Sequence, residues 1–188
     1  MRIISGKYKR RKLITPRNLS IRPTTDKQRE SLFNILADDV VNTRVLDLYA
    51  GTGALGIEAI SRGAQSAVFV DNNRQAIQII KKNIKQLEIG SQTTVFQRDI
   101  NRNLSCLGGY QFDLIFMDPP YQHDYIDRTL IQLCQKNCLA DHSLIVAEHA
   151  ISDQMSIPDD LVRIDYRVYG QTQFSFLEQS RANASEKK

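Results

Sequence analysis

The sequence predicts an α/β domain built on a mostly parallel sheet with helices on both faces. Three observations carry this. Short apolar runs of strand length alternate with longer stretches of helical period through the middle of the chain, the order that generates a parallel sheet. Those runs are dominated by Val, Ile, Leu and Phe, as expected of strands covered on both sides. A Gly-rich turn at residues 51–56 joins the first run to a helix, the connection found at the carboxyl edge of doubly wound sheets. A chain of 188 residues is long enough to bury the core such a domain needs.

Taken in order, residues 1–15 read as a short β-hairpin or extended arm with Ser5-Gly6 as its turn. Pro16-Arg17-Asn18 and Arg22-Pro23 read as loop, and Thr24 or Thr25 can cap a helix running to about Asp38, with Leu32, Phe33, Ile35 and Leu36 as its apolar stripe. Val45–Leu48 is the first strand, followed by a helix from about Gly53 to Arg62 that Gly63 stops. Ala67–Val70 is the second strand. Arg74 to Gln86 is the next helix, with Ile77, Ile80, Ile84 and Leu87 on one side. Thr93–Phe96 and Phe112–Met117 are the third and fourth strands, then a helix at about Tyr125–Lys136 and a fifth strand at Leu144–Ala147. Strands at about Val162–Tyr169 and Gln173–Leu177, joined by a hairpin at Gly170, make the end antiparallel, and Ser180–Lys188 reads as a disordered tail. This gives a basic arm over 1–23, one domain over 24–179 and a tail over 180–188.

Composition narrows the function classes. With 41% apolar and 24% charged residues the chain is an ordinary globular one. No apolar run approaches the ~20 residues of a membrane span, and no signal peptide is read at the start, so a cytoplasmic location and no membrane partner are expected. Cys106, Cys134 and Cys138 form no CxxC pair and the three histidines have no ligand spacing, so no metal is expected. The net charge of +4 is unevenly placed. Residues 1–30 hold ten Lys or Arg against two acids, or +8, leaving 15 against 19, or −4, for the remainder. Basic residues interleaved with Tyr8, Leu13 and Ile14 suit a structured contact with a phosphate backbone. No heptad or exposed apolar stripe argues for a dimer, so a monomer is expected.

Two motifs carry chemistry. Gly51-Thr52-Gly53-Ala54-Leu55-Gly56 fits GxGxxG after a strand and opening a helix, where glycine permits the tight turn and a close approach of backbone to ligand. Asp71 ends the second strand twenty residues beyond Gly51, where a carboxylate can accept ribose hydroxyls. That much fits a nicotinamide enzyme equally well. Asp47, ending the first strand, tilts the choice, because an acid there repels a pyrophosphate and welcomes the ammonium of S-adenosylmethionine. The second motif, Asp118-Pro119-Pro120-Tyr121, ends an apolar strand at the same edge of the sheet. The Asp118 carboxylate and the Pro119 carbonyl can each accept a hydrogen from an exocyclic amine, and Tyr121 can stack on the base. Together the motifs point to methyl transfer from S-adenosylmethionine to a base nitrogen.

With these residues in hand, the chain resembles the RsmD family, bacterial methyltransferases of a guanine N2 in small-subunit (16S) ribosomal RNA. The pieces that carry the resemblance are Met1–Gly6 with Arg11-Lys12-Leu13, Arg22–Asp26 with Arg29–Phe33, Leu46–Gly56, Ser61–Ala64, Asp118–Tyr121 and Tyr169–Thr172. The resemblance implies a seven-stranded class I methyltransferase fold and S-adenosyl-L-methionine as cofactor. By motif position it places Asp47 and Gly51, Thr52 and Gly53 at the methionine end, Asp71 at the ribose and Asp99 near adenine, with Ala50, Asn72 and Ile100 as further cofactor-binding residues. It implies that Asp118, Pro119 and Tyr121 hold the base, and that Arg10, Arg11, Lys12, Arg22 and Thr24 touch rRNA of the small ribosomal subunit, with neighbouring ribosomal proteins as further partners. The chain departs from the family at Arg10, where a glycine is expected, and at Tyr49, where phenylalanine is common.

Other classes fit less of the chain. A DNA adenine-N6 or cytosine-N4 methyltransferase shares the DPPY chemistry but needs a recognition domain that this length does not leave. An NAD-dependent dehydrogenase leaves Asp118–Tyr121 unexplained, and a non-enzymatic RNA-binding module leaves both motifs idle. A protein glutamine methyltransferase more typically has Asn at position 118.

Overall fold

In the computed structural model, residues 1–16, 25–120 and 124–180 are described. Helix α1 (Asp26–Leu36) precedes β1 (Arg44–Leu48), α2 (Ala54–Ser61), β2 (Ser66–Asp71), α3 (Arg74–Leu87) and β3 (Thr93–Gln97). After these come β4 (Phe112–Met117), α4 (Tyr125–Gln135), β5 (Leu139–Ala150), β6 (Leu161–Tyr169) and β7 (Thr172–Gln179). The strands form one seven-stranded sheet in the order β3-β2-β1-β4-β5-β7-β6, parallel except where β7 pairs with β5 and β6. The order reverses between β1 and β4, which opens a crevice beyond their carboxyl ends.

Strand alternation splits the core into two layers. Val45, Phe69, Leu114, Phe116, Val146 and Phe174 face the front, under α1, α2 and α3. Leu46, Leu48, Val70, Ile115, Met117 and Ala147 face the back, under α4 and the loop holding Ile100, Leu104 and Leu107. On α3 the predicted stripe holds: Ile77, Ile80, Ile84 and Leu87 are all buried. At α1 it is Thr25 that caps, accepting from the Gln28 N–H at 3.2 Å while the Gln28 side chain accepts from the Thr25 N–H at 3.0 Å. This helix stops at Leu36, short of the predicted Asp38, and a 3-10 turn over Ala37–Val40 follows. The fifth strand begins five residues before the predicted Leu144, with a register shift against β4 between Phe112 and Leu114.

The basic N-terminal segment folds back on itself with one antiparallel bridge, Arg2 to Lys12, and lies against the domain. Ile3 and Leu13 enter the front core. The Ile4 and Ser5 N–H groups donate to the Glu58 carboxylate on α2 at 2.8 and 3.0 Å. Buried Arg29 of α1 donates to the Arg2 carbonyl at 2.6 Å. The turn at Gly6, with φ of 80°, brings the chain so close to α2 that a Cβ there would sit 1.8 Å from the Ser61 carbonyl oxygen, so glycine is required.

Candidate active site

The front-face parity that builds the core also builds the site. Asp47 follows Val45, Asp71 follows Phe69, Asp118 follows Phe116 and Glu148 follows Val146, each two residues beyond a front-core residue. Four adjacent strands, β2, β1, β4 and β5, therefore deliver four carboxylates to one face at the carboxyl edge.

Two of these are tied to the Gly-rich turn. Asp47 is 2% exposed and accepts the Gly56 N–H of α2 at 2.9 Å. Burial, with a smaller contribution from the Asp71 charge, pushes its carboxyl up to about 8 against the pull of the Gly56 N–H. Asp71 accepts the Gly51 N–H through one oxygen and the Asn73 N–H through the other, both at 2.8 Å. A carboxylate has about four acceptor sites, so Asp71 retains acceptors for a diol. Ala50 and Thr52 are buried in the turn, while Asn72 is exposed beside Asp71.

Gly53 answers to packing. A Cβ on it would point inward, 3.3 Å from Phe69 and Ile80 and 3.4 Å from Ile57, and its φ is 76°. The close approach that this glycine permits is therefore to the core, which corrects the ligand-side reason given by the motif. Tyr49, also left-handed with φ of 57°, makes hydrogen bonds through its hydroxyl to Asn101 at 3.2 Å and Thr129 at 2.8 Å. It joins the turn to the loop after β3 and to α4.

Asp99 lies in that loop, half-buried, paired with Arg102 at 3.3 Å and accepting the Asn101 N–H at 3.1 Å. The Ile100 side chain, 2% exposed, packs into the back core. Its carbonyl accepts from Gln132 of α4 at 2.9 Å.

At the other end of the edge, Asp118 is half-buried, Pro119 buried and Pro120 exposed. Burial, then the charges of Glu148 and Asp47, push the Asp118 carboxyl well above the usual range. Tyr121, Arg22 and Thr24 lie outside the described residues. Arg10, Arg11 and Lys12 are exposed on the N-terminal segment. The segment is fastened to α3: Arg11 donates to the Gln86 carbonyl at 3.0 Å and Gln86 to the Lys12 carbonyl at 2.9 Å. The φ of Arg10 is 69°, which explains why a glycine is expected at that position.

Sequence reasoning missed Glu148, Asn83 and Glu58. Glu148 had a signal: it extends the apolar alternation Leu144, Val146 with an acid. Asn83, buried in α3, accepts the Ile14 N–H at 2.8 Å and donates to the Ile14 and Thr52 carbonyls at 3.2 and 3.1 Å. Nothing local distinguishes it from a surface amide. Among the described residues, no cluster of three or more His, Cys, Asp or Glu has metal-holding geometry.

The family model described as "Conserved hypothetical protein 95" matches residues 1–178. The chain belongs to the RsmD family. A Bacillus subtilis relative named "Putative rRNA methyltransferase YlbH" is 40% identical, covering 92% of this chain and 95% of its own. The "Ribosomal RNA small subunit methyltransferase D" of Escherichia coli strain K12 is 34% identical, covering 99% and 93%. Among solved structures, "Putative methyltransferase yhhF from Escherichia coli" superposes with a TM-score of 0.85 at 34% identity, covering 96% of this chain and 98% of that one. The fold is that of the class I methyltransferases.

Proposed function

We propose that the protein transfers a methyl group from S-adenosyl-L-methionine to the exocyclic N2 of a guanine in small-subunit (16S) rRNA during subunit assembly. The observation that carries this reading is Asp118-Pro119 standing on the same sheet edge, one strand over, as the Gly-rich turn with its carboxylates. The names of the family's relatives support the class of substrate.

The turn fits the cofactor on the chemistry of its donors. S-adenosylmethionine carries an ammonium and a sulfonium and no phosphate, and the buried Asp47 beside the turn suits cations and opposes a pyrophosphate. Asp47 with residues 50–53 would hold the methionine end, Asp71 the ribose hydroxyls, and Asp99 the adenine side. When bound, this group supplies an electrophilic methyl on a positive sulfur.

The remaining work belongs to the chain. An aromatic amine is a weak nucleophile because its lone pair is delocalised into the ring. The Asp118 carboxylate and the Pro119 carbonyl each accept one amine hydrogen, which fixes the nitrogen and favours its rehybridisation. Holding the nitrogen in line contributes much of the acceleration. As positive charge develops on the nitrogen, Asp118 stabilises it and stands in place to receive the proton. The two prolines contribute no N–H, so this corner presents acceptors only. Arg10, Arg11 and Lys12 face outward to meet the rRNA backbone, and a grip by Arg22, Thr24 and Tyr121 belongs to the same proposal.

The test is methyl transfer from labelled S-adenosylmethionine to small subunits from cells lacking this protein, followed by digestion to nucleosides. Label in N2-methylguanosine is the expected result. Label in a methylated adenosine or cytidine would overturn the assignment of the base, and label only in DNA or protein would overturn the substrate.

A further inference from the structure

Asp118 has a neighbour that no motif announces. Met117, the last residue of β4, pairs with Ala147 of β5, so Asp118, just past the end of β4, follows on beside Glu148 of β5. Facing residues on adjacent strands lie about 4.8 Å apart. Parity puts both on the front face, and Glu148 is 5% exposed. The preceding front-face positions of β5, Leu144 and Val146, pack with the front core, so the strand's own pattern calls for an apolar residue at 148. An acid stands there instead, where burying a charge is costly.

The corner so assembled holds a second carboxylate beside the first, next to the Pro119 carbonyl: three accepting groups and no main-chain donor from either proline. The Watson–Crick edges of the bases differ in what they offer such a corner. Guanine presents three hydrogens side by side, one on N1 and two on N2. Adenine and cytosine present an amine next to a bare ring nitrogen, itself an acceptor, and uracil has no amine.

We infer that Glu148 is the residue that selects guanine, its carboxylate accepting the N1–H while Asp118 and the Pro119 carbonyl hold the two N2 hydrogens. This rests on the proposed methylation of a base at this edge and supplies the reason why that base is guanine. An adenine or cytosine turned into the corner sets a ring-nitrogen lone pair against a buried carboxylate, which repels it. The electrostatics agree with the geometry, since the Glu148 charge is the larger of the two carboxylate contributions raising the Asp118 carboxyl.

2-Aminopurine separates the two groups of guanine that the corner reads, because it keeps the exocyclic amine and lacks the N1 hydrogen. Small subunits would be reconstituted with rRNA carrying guanine or 2-aminopurine at the position labelled above. The wild-type protein is expected to favour guanine by at least about 100-fold in kcat/KM. Glu148→Gln, whose amide can donate to the bare N1, is expected to narrow that ratio to about tenfold or less, with unchanged cofactor binding and melting. Equal methylation of the two bases by the wild type would overturn the inference without need of any variant. A Glu148→Gln protein that is slower on both with the ratio intact would overturn it too, leaving Glu148 a structural residue. Failure of the wild type to methylate guanine would sink the proposed function itself, which the other outcomes leave standing.

Discussion

The two ends of the carboxyl edge hold their acids in different surroundings. At the cofactor end, Asp47 and Asp71 are held by main-chain N–H groups from Gly56, Gly51 and Asn73 at 2.8–2.9 Å. Their geometry is set by the fold before any ligand arrives. At the other end, the charges of Glu148 and Asp47 add to burial in raising the Asp118 carboxyl. Under the proposed function, the cofactor would meet a frame already fixed by main-chain N–H groups, and discrimination between bases would fall to the Asp118 and Glu148 end.

The most severe way to break this comparison is Asp118→Ala. Methyl transfer is expected to fall by about 10³-fold or more, while cofactor affinity measured by calorimetry stays within about threefold. A comparable loss of cofactor binding would show that the two ends are not separable.

Charge reversal at Arg10 and Arg11 comes next. It is expected to weaken rRNA binding by about 100-fold and to make the plot of log affinity against log salt shallower by about 1–2. Cofactor affinity in the absence of RNA should not change.

A smaller effect sharpens the comparison through pH. Asp47 rises from an ordinary 3.8 to about 8 on folding, so between those values the folded protein holds a proton that the unfolded chain has lost. Stability of the free protein should therefore fall as pH rises through that window. A cation against Asp47 favours its ionised form, so cofactor affinity should rise over the upper part of the same window, by at most about tenfold per pH unit. Melting curves with and without S-adenosylmethionine at pH 6, 7 and 8 read both trends, and a cofactor-induced shift that shrinks with pH would contradict them.

The mildest is Tyr49→Phe, which removes the bonds to Asn101 and Thr129 and is expected to cost about 1 kcal/mol in a denaturant titration. Rates should be nearly unaffected.

What could be read from the sequence followed the same division. The strands β1 to β4 and helix α3 were legible because each carries an unbroken periodic signal ending at a turn residue. The first half of β5 was not. Asp141 and His142 interrupt its apolar run, His142 is left-handed with φ of 62°, and the register against β4 shifts there. Satisfied acids such as Asp47 and Asp71 could be found because they sit beside glycines in a recognisable turn. Glu148 showed only as an acid extending the apolar alternation of β5, since its neighbour Asp118 is thirty residues away in the chain and adjacent only through the pairing of β4 with β5. Glu58 looked like an ordinary surface acid on a short helix, yet it is fully buried under the N-terminal segment. The basic charge of that segment was visible, but its anchoring by Ile3 and Leu13 depends on a surface that only the folded domain provides.

One buried amide ties that segment to the cofactor turn. Asn83 grips Ile14 on one side and the Thr52 carbonyl on the other, so a pull on the segment is transmitted to the turn within a single side chain. The consequence is a thermodynamic one: were the proposed rRNA contact to shift Ile14 and with it cofactor affinity, the cofactor would change affinity for the RNA by the same factor. Asn83→Leu should bring that factor close to one while leaving both partners able to bind alone.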